Sequence, residues 1–348
     1  MPWRVLTRIL NVQWMMFLHK GKVDAMREIS YAEAKVEALY EVMRANERVH
    51  LIGNMFLGLS PRRTLLTRLR EEFPSRIFDP PISEAGFCGL AAGAAMAGLR
   101  AIVDVTTASF LFQAFPQVVN EAANACYMSG GQIHVPVVFH TLHGIRGGGA
   151  AQHSHSPQAM LWNAPGLEIA LPSSPRDVKG LLKAAAGRDN PIVFVDHAKL
   201  FEVRGPVPEG DYVIPFGQAD VKRSGRDVTV VATSLMVQRA LKASTELATK
   251  GIEVEVVDPR TLVPLDKKSI LDSVAKTGRL VVVDECHRSC GVAAEIAAMV
   301  AEEGFAHLKA PIKRVTTLDV PIPFSRPLET YVEVTEEKIV EAVLSLTR

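Results

Sequence analysis

An excess of charge of either sign is missing from this chain. Its 348 residues carry 39 Lys and Arg against 38 Asp and Glu, a formal net charge of +1. Nothing in that balance marks a polyelectrolyte partner, so nucleic-acid binding is not expected. Paired cysteine spacing is missing too. Cys88, Cys126, Cys286 and Cys290 show no CxxC repeat, which argues against a disulfide framework and for a reducing compartment. Cys286 and Cys290 would lie one turn apart with His287 between them if that stretch were helical. Two thiols and an imidazole suit zinc, but a closed site needs a fourth ligand and none is near; no metal site is expected on this chain. The apolar run 12–18 is too short to cross a membrane. Neither GxxxxGK[ST] nor a strand-linked GxGxxG occurs, and Gly147-Gly148-Gly149 forms no phosphate fingerprint.

What is present begins with bulk. The chain exceeds the size at which single cores stop growing, about 250–300 residues, and its hydrophobic fraction of 48% is ample for two domains. It is organised around the stretch 79–100. Within it, 85–99 has almost no polar atoms and sets Gly86, Gly89, Gly93 and Ala97 at three- or four-residue steps, one face of a helix. That face has no bulk of its own, so another backbone or a flat ligand can approach it closely. Glu84 falls at the helix start, where a carboxylate is favoured by the helix dipole. A buried helix with an acidic first residue reads the same way.

Residues 1–25 are basic and carry no acidic residue before Asp24. They read as a transit peptide or as a start codon placed too far upstream, and are excluded from the fold. At Ser30 the sequence Ser-Tyr-Ala-Glu forms a capping box ahead of apolar positions 32, 36, 39, 40 and 43, an amphipathic helix. Strands are then predicted at 49–52, 101–105, 135–140 and 192–195, with helices at 115–127 and 175–186. This alternation gives an α/β domain around a mostly parallel sheet. The segment 140–157 carries His140, His143, His153 and His155 without periodicity, so it reads as a loop beyond a strand's carboxyl end. In open α/β sheets that is where ligands bind, together with the turn at Glu84. A Pro- and Gly-bearing linker begins at 203. Beyond it, strands at 228–232, 252–257 and 280–284 and helices at 236–250, 268–276 and 293–302 form a second, smaller α/β domain.

Pro81-Ile82-Ser83-Glu84-Ala85-Gly86-Phe87 resembles the beta subunit of thiamine-diphosphate-dependent 2-oxoacid dehydrogenases. So do Asn120-Glu121-Ala122-Ala123, 127–132, Gln152-His153-Ser154, 165–167 and 179–185. The second half continues the likeness at Asp258-Pro259-Arg260-Thr261-Leu262, 276–279, 294–297 and 319–323. These motifs keep the family's order over about residues 26–346. The resemblance implies a two-domain transketolase-like α/β fold, each domain with a mostly parallel sheet. Its parts are a pyrimidine-binding domain at 26–203, a linker at 204–211 and a transketolase C-terminal-like domain at 212–348.

It also implies the chemistry. In the family a carboxylate bonds the far nitrogen of the cofactor's aminopyrimidine and makes that ring the base that activates the thiazolium carbon; Glu84 matches that residue. Phe110, in Ser109-Phe110-Leu111-Phe112, stands where the family has an aromatic residue, able to pack on the pyrimidine or to serve as core. His153 resembles the histidine that lines the channel to the thiazolium and passes a proton during decarboxylation and acyl transfer. His140, His143 and His155 take no role, since loop histidines mostly face solvent. The cofactor's diphosphate is bound through magnesium by a Gly-Asp-Gly stretch and an Asn of the alpha subunit, and this chain has no Gly-Asp-Gly. The implied protein is half of an alpha2-beta2 heterotetramer serving a lipoyl acyltransferase core and a small 2-oxoacid. It would sit in the cytoplasm, or in the mitochondrial matrix of a eukaryote. Three positions depart from the family: Asn54 replaces an acidic residue, with 56–63 in place of a glycine-rich segment; Pro116 replaces an Asp; His155 stands for a Gln. An acetoin-cleaving or carboligase enzyme without lipoyl transfer, and a non-catalytic assembly paralogue, are the rival readings.

Overall fold

Parallel strands covered on both faces read as unbroken apolar runs, and the Val-rich segments of this chain become its central strands. The computed structural model describes residues 25–53 and 63–347; residues 1–24, Asn54 and the departure that follows it up to Arg62 lie outside the described residues. In chain order the strands are β1 (Met26–Ser30), β2 (Val49–Gly53), β3 (Ile77–Phe78), β4 (Arg100–Thr107), β5 (Val137–His143), β6 (Glu168–Ala170) and β7 (Ile192–His197). They continue as β8 (Arg204–Pro208), β9 (Asp220–Arg223), β10 (Val228–Ala232), β11 (Val254–Asp258), β12 (Thr261–Val263), β13 (Leu280–His287) and β14 (Lys313–Thr317).

The first sheet has the order β12-β6-β7-β5-β4-β2-β3, parallel except for β12, which joins β6 antiparallel. The second has the order β14-β13-β10-β11-β9, parallel except for the edge strand β9. β1 and β8 pair antiparallel as a separate clasp, Met26 opposite Pro208, so the segment read as a linker is partly a strand.

Side chains alternate across each sheet and feed two apolar layers, each continuous between the sheets. Leu51, Ile102, Val138 and Phe194 share a layer with Val230, Val256 and Val283. Val103, Phe139 and Val195 share the other with Val231, Val257 and Val282. Burying each such side chain is worth roughly 1.5–3 kcal/mol. The helices Tyr31–Ala45 and Pro175–Ala186 cover the first layer. The capping box is present: the Ser30 hydroxyl accepts the Glu33 N–H at 3.2 Å and the Glu33 carboxylate accepts the Ser30 N–H at 2.7 Å.

The small-residue helix Glu84–Met96 covers the second layer. It buries Phe87, Cys88, Ala91, Ala92 and Ala95 and leaves Gly86, Gly93, Ala97 and Leu90 at the surface. Two local readings change. The single helix expected over 115–127 is a π-helical segment, Pro116–Ala122, running into an α-helix, Ala123–Met128; Pro116 cannot give the preceding turn an N–H, which loosens the ladder there. The strand expected to end at His140 continues to His143.

Candidate active site

Because β2 to β7 run parallel, their carboxyl ends share one edge of the first sheet, and three connections emerge from it. The first leads from β3 to Glu84, the first residue of its helix. Ser83, at the cap, gives that helix no side-chain hydrogen bond, so its N-terminal amides keep their positive field. Glu84 is half-buried and has no hydrogen-bond or ion-pair partner among the described residues. Burial and the Glu84 carboxylate together push the Cys88 thiol up to about 12, which leaves it an inert core group.

The second connection leaves β4 through Thr106, held at φ 64° with its N–H donating to Asp104 at 2.9 Å, and carries Phe110 on a short 3-10 turn, Ala108–Phe112. The third leaves β5 and carries His153 on a single helical turn, Ala150–His153. Phe110 and His153 meet edge to face, their ring centroids 5.4 Å apart at 76°. Phe110 is half-buried against the second apolar layer and His153 is exposed. Beneath them the Ser109 hydroxyl donates to the Gln152 carbonyl. The Arg146 guanidinium donates to the His153 carbonyl at 2.8 Å and to the Thr107 hydroxyl at 3.1 Å. No hydrogen bond or ion pair joins Glu84 to this pair among the described residues, although all three follow carboxyl ends of strands of the first sheet.

The other loop histidines are not in solvent. His140 and His143 are 0% and 1% exposed, inside β5. Lys35 Nζ approaches His140 Nε2 at 2.7 Å, the Asp196 carboxylate lies 3.0 Å from the same nitrogen, and Nδ1 faces Asp104 at 3.3 Å. The Asp196 carboxylate closes the cluster, accepting from Lys35 and from the Tyr31 hydroxyl. Burial alone would raise the Asp196 pKa, but the Lys35 charge holds it well below the carboxylate range, while burial lowers that of Lys35. His143 bridges Ser156 and Ser234, both at 3.1 Å, and burial, then His197, push it down to about 3, so it stays neutral. His155 is half-buried with its ring edge-on to Phe112 at 5.3 Å, its pKa lowered by burial and then His287.

The candidate zinc group does not assemble. Cys286 lies in β13 with its thiol on the Ser156 carbonyl at 3.2 Å, the His287 ring faces the Leu318 carbonyl at 2.7 Å, and no group of three or more His, Cys, Asp and Glu among the described residues could hold a metal ion. No helix among them is long and apolar enough to cross a membrane.

Sequence reasoning missed Ser109, Arg146, Lys35 and Asp196. Only Ser109, beside Phe110, had a local signal.

Residues 27–202 match the family described as transketolase, pyrimidine binding domain, and residues 217–339 that described as transketolase, C-terminal domain. The beta subunit of acetoin:2,6-dichlorophenolindophenol oxidoreductase from Bacillus subtilis is 42% identical over 333 residues, 92% of this chain and 97% of that protein. The pyruvate dehydrogenase E1 component subunit beta of Rickettsia conorii is 42% identical over 317 residues, 91% of this chain and 97% of its own. A solved structure described as a split gene transketolase, inactive beta4 tetramer, superposes with a TM-score of 0.75 at 26% identity, covering 92% of this chain and 99% of that one.

Proposed function

Since the chain belongs to the transketolase-like family of beta subunits of thiamine-diphosphate-dependent 2-oxoacid dehydrogenases, we propose that it contributes the pyrimidine half of a cofactor site shared with an alpha subunit. The observation that carries this is Glu84: a half-buried carboxylate without a partner among the described residues, at a helix start, on the sheet edge that also holds the Phe110–His153 contact. A carboxylate aimed from small-residue surroundings fits the far ring nitrogen of an aminopyrimidine, and the partly open Phe110 ring fits its face. When bound, thiamine diphosphate supplies the nucleophile and electron sink that let a 2-oxoacid lose carbon dioxide and leave an acyl group.

Glu84 holds the proton at the ring nitrogen. Phe110 orients the ring and excludes water. His153, exposed but fixed against Phe110, gives and takes a proton at the reacting oxygen and assists passage of the acyl group to a lipoyl carrier. The diphosphate and its magnesium fall to the alpha subunit, because hard cations are held by oxygen ligands and no such group exists among the described residues here. The exposed face of the Glu84 helix, with Leu90 half exposed, and the more exposed Tyr127 and Met128 of the helix Ala123–Met128 suit the seam of an alpha2-beta2 heterotetramer, itself docked on an acyltransferase core in the cytoplasm or mitochondrial matrix.

Glu84→Gln in the reconstituted alpha–beta enzyme is expected to keep the fold and lower turnover by at least ~100-fold, the scale of a lost acid-base group; near-normal turnover sinks the reading. The Bacillus relative favours acetoin as a second substrate class. Dye reduction with acetoin against that with pyruvate separates the two.

A further inference from the structure

The loop that delivers His153 contains Gly147, Gly148 and Gly149, the first two at φ 92° and 77°. Such a run has no side chains with which to fix itself. Its fixation comes from outside the first sheet. The Ile145 N–H donates to Glu285 Oε1 at 3.2 Å, and Glu285 stands at the end of β13 in the second sheet. The Gly148 N–H donates to Glu329 Oε1 at 2.9 Å, and Glu329 lies on the helix Arg326–Val332. Glu329 is 1% exposed. Its other oxygen takes the Arg326 guanidinium at 3.0 Å, and a Cβ at Gly147 would come within 2.9 Å of that same guanidinium. Downstream, Ser109 of the turn after β4 holds the Gln152 carbonyl, and the loop's own Arg146 links the His153 carbonyl to the Thr107 hydroxyl of β4. The loop is therefore pinned at its start by carboxylates of the second domain and at its end by side chains of the first.

A buried carboxylate accepting a backbone N–H makes a charge-assisted bond about twice as strong as a neutral one. Placing two of them on one glycine-rich segment fixes the approach of the histidine that follows. We propose that Glu329, assisted by Glu285, is a positioning residue for His153, which gives the second domain a part in catalysis besides assembly. The inference rests on the catalytic reading of His153 given above.

The test uses the reconstituted enzyme and two readouts. Hydrogen exchange of the 144–153 segment reports the tether without reference to activity. Glu329→Ala is expected to speed exchange there by about tenfold, the equivalent of one lost hydrogen bond, with the strands of the second sheet unchanged. Glu329→Gln keeps an acceptor oxygen and gives up the charge, so about threefold is expected; if the alanine variant fails to assemble, the glutamine variant decides alone. Acyl transfer should fall in parallel, by roughly tenfold and threefold. In a His153→Ala background neither substitution should cost more than about twofold further, since both act through one group. Unchanged loop exchange, or a full additive loss in that background, overturns the proposal. If His153→Ala alone leaves turnover intact, the catalytic reading fails, while the exchange result still decides whether the carboxylates hold the loop.

Discussion

One chain carries two parallel sheets, and their carboxyl edges meet different fates. At the first, Glu84, Phe110 and His153 remain half-buried or exposed. At the second, Thr233, Ser234, Asp258, Asp284 and Glu285 are each no more than 4% exposed. These five groups are consumed by one another and by the first domain. Asp284 accepts the Thr233 hydroxyl and the Cys286 N–H, Ser234 meets His143, Glu285 faces His197 at 3.0 Å, and Asp258 accepts from Ser173. Burial would raise the Glu285 pKa, but His197 holds it down to about 2. The strand topology makes a crevice at either edge. Groups left uncovered, as at the first edge, are the ones that a ligand can use, which is why function follows the site and not the fold.

The sharpest way to break this comparison is to remove a group from the open edge and watch chemistry alone respond. His153→Ala is expected to lower acyl transfer by about 100-fold while cofactor affinity stays within a few-fold; a collapse of affinity with normal acyl transfer by the saturated enzyme would show the role to be misassigned. At the closed edge the response should be stability. Asp284→Ala strands the buried Cys286 N–H and Thr233 hydroxyl and is expected to cost about 2 kcal/mol, seen as a lower denaturation midpoint with turnover per folded enzyme unchanged.

A smaller effect sharpens the electrostatics of the closed edge. Burial pushes Asp258 up to about 6, against the pull of Lys222 and with the push of Asp177. A carboxyl raised from 3.8 to about 6 on folding favours the folded state in its protonated form. That stability is complete below the unfolded pKa and is lost as pH rises through about 6. Between pH 7 and pH 5 this group should add about 1 kcal/mol to the folded state, and Asp258→Asn should remove that slope from the pH dependence of the melting temperature. The smallest effect concerns the chain start. A protein beginning at Met26 loses, among the described residues, the bond from the Glu209 N–H to the Ala25 carbonyl at 3.0 Å, and should melt within about two degrees of the full chain; a larger drop would mean that the earlier residues pack.

How far each edge was legible follows from the range of the interactions that build it. The helix at 175–186 and the strand at 228–232 appear with the expected bounds, because period and caps are written within a dozen residues. Glu84 at its helix start was readable for the same reason. His140 and His143 were misread as loop residues because their partners lie far off: Lys35 is 105 residues from His140, and Ser234 is 91 from His143. Polar residues inside a strand look like a loop until the groups that satisfy them are known. The carboxylates over the glycine run were invisible on the same ground, at separations of 140 and 181 residues. The run itself announced that something must hold it, without saying what.

Strand β12 bears on biosynthesis. It lies beyond the linker in sequence, between β11 and β13 of the second sheet, yet Thr261 pairs with Ala170 and Val263 with Ile169 at the outer edge of the first. A nascent chain that has delivered residues 26–203 to the ribosome exit therefore presents β6 as an unpaired edge, a template for pairing with another chain. The first sheet is finished only after about sixty further residues emerge, several seconds later at ordinary synthesis rates of ~5–20 residues per second. Folding of the two units is interlocked in time, and a fragment cut at the linker inherits the open edge permanently.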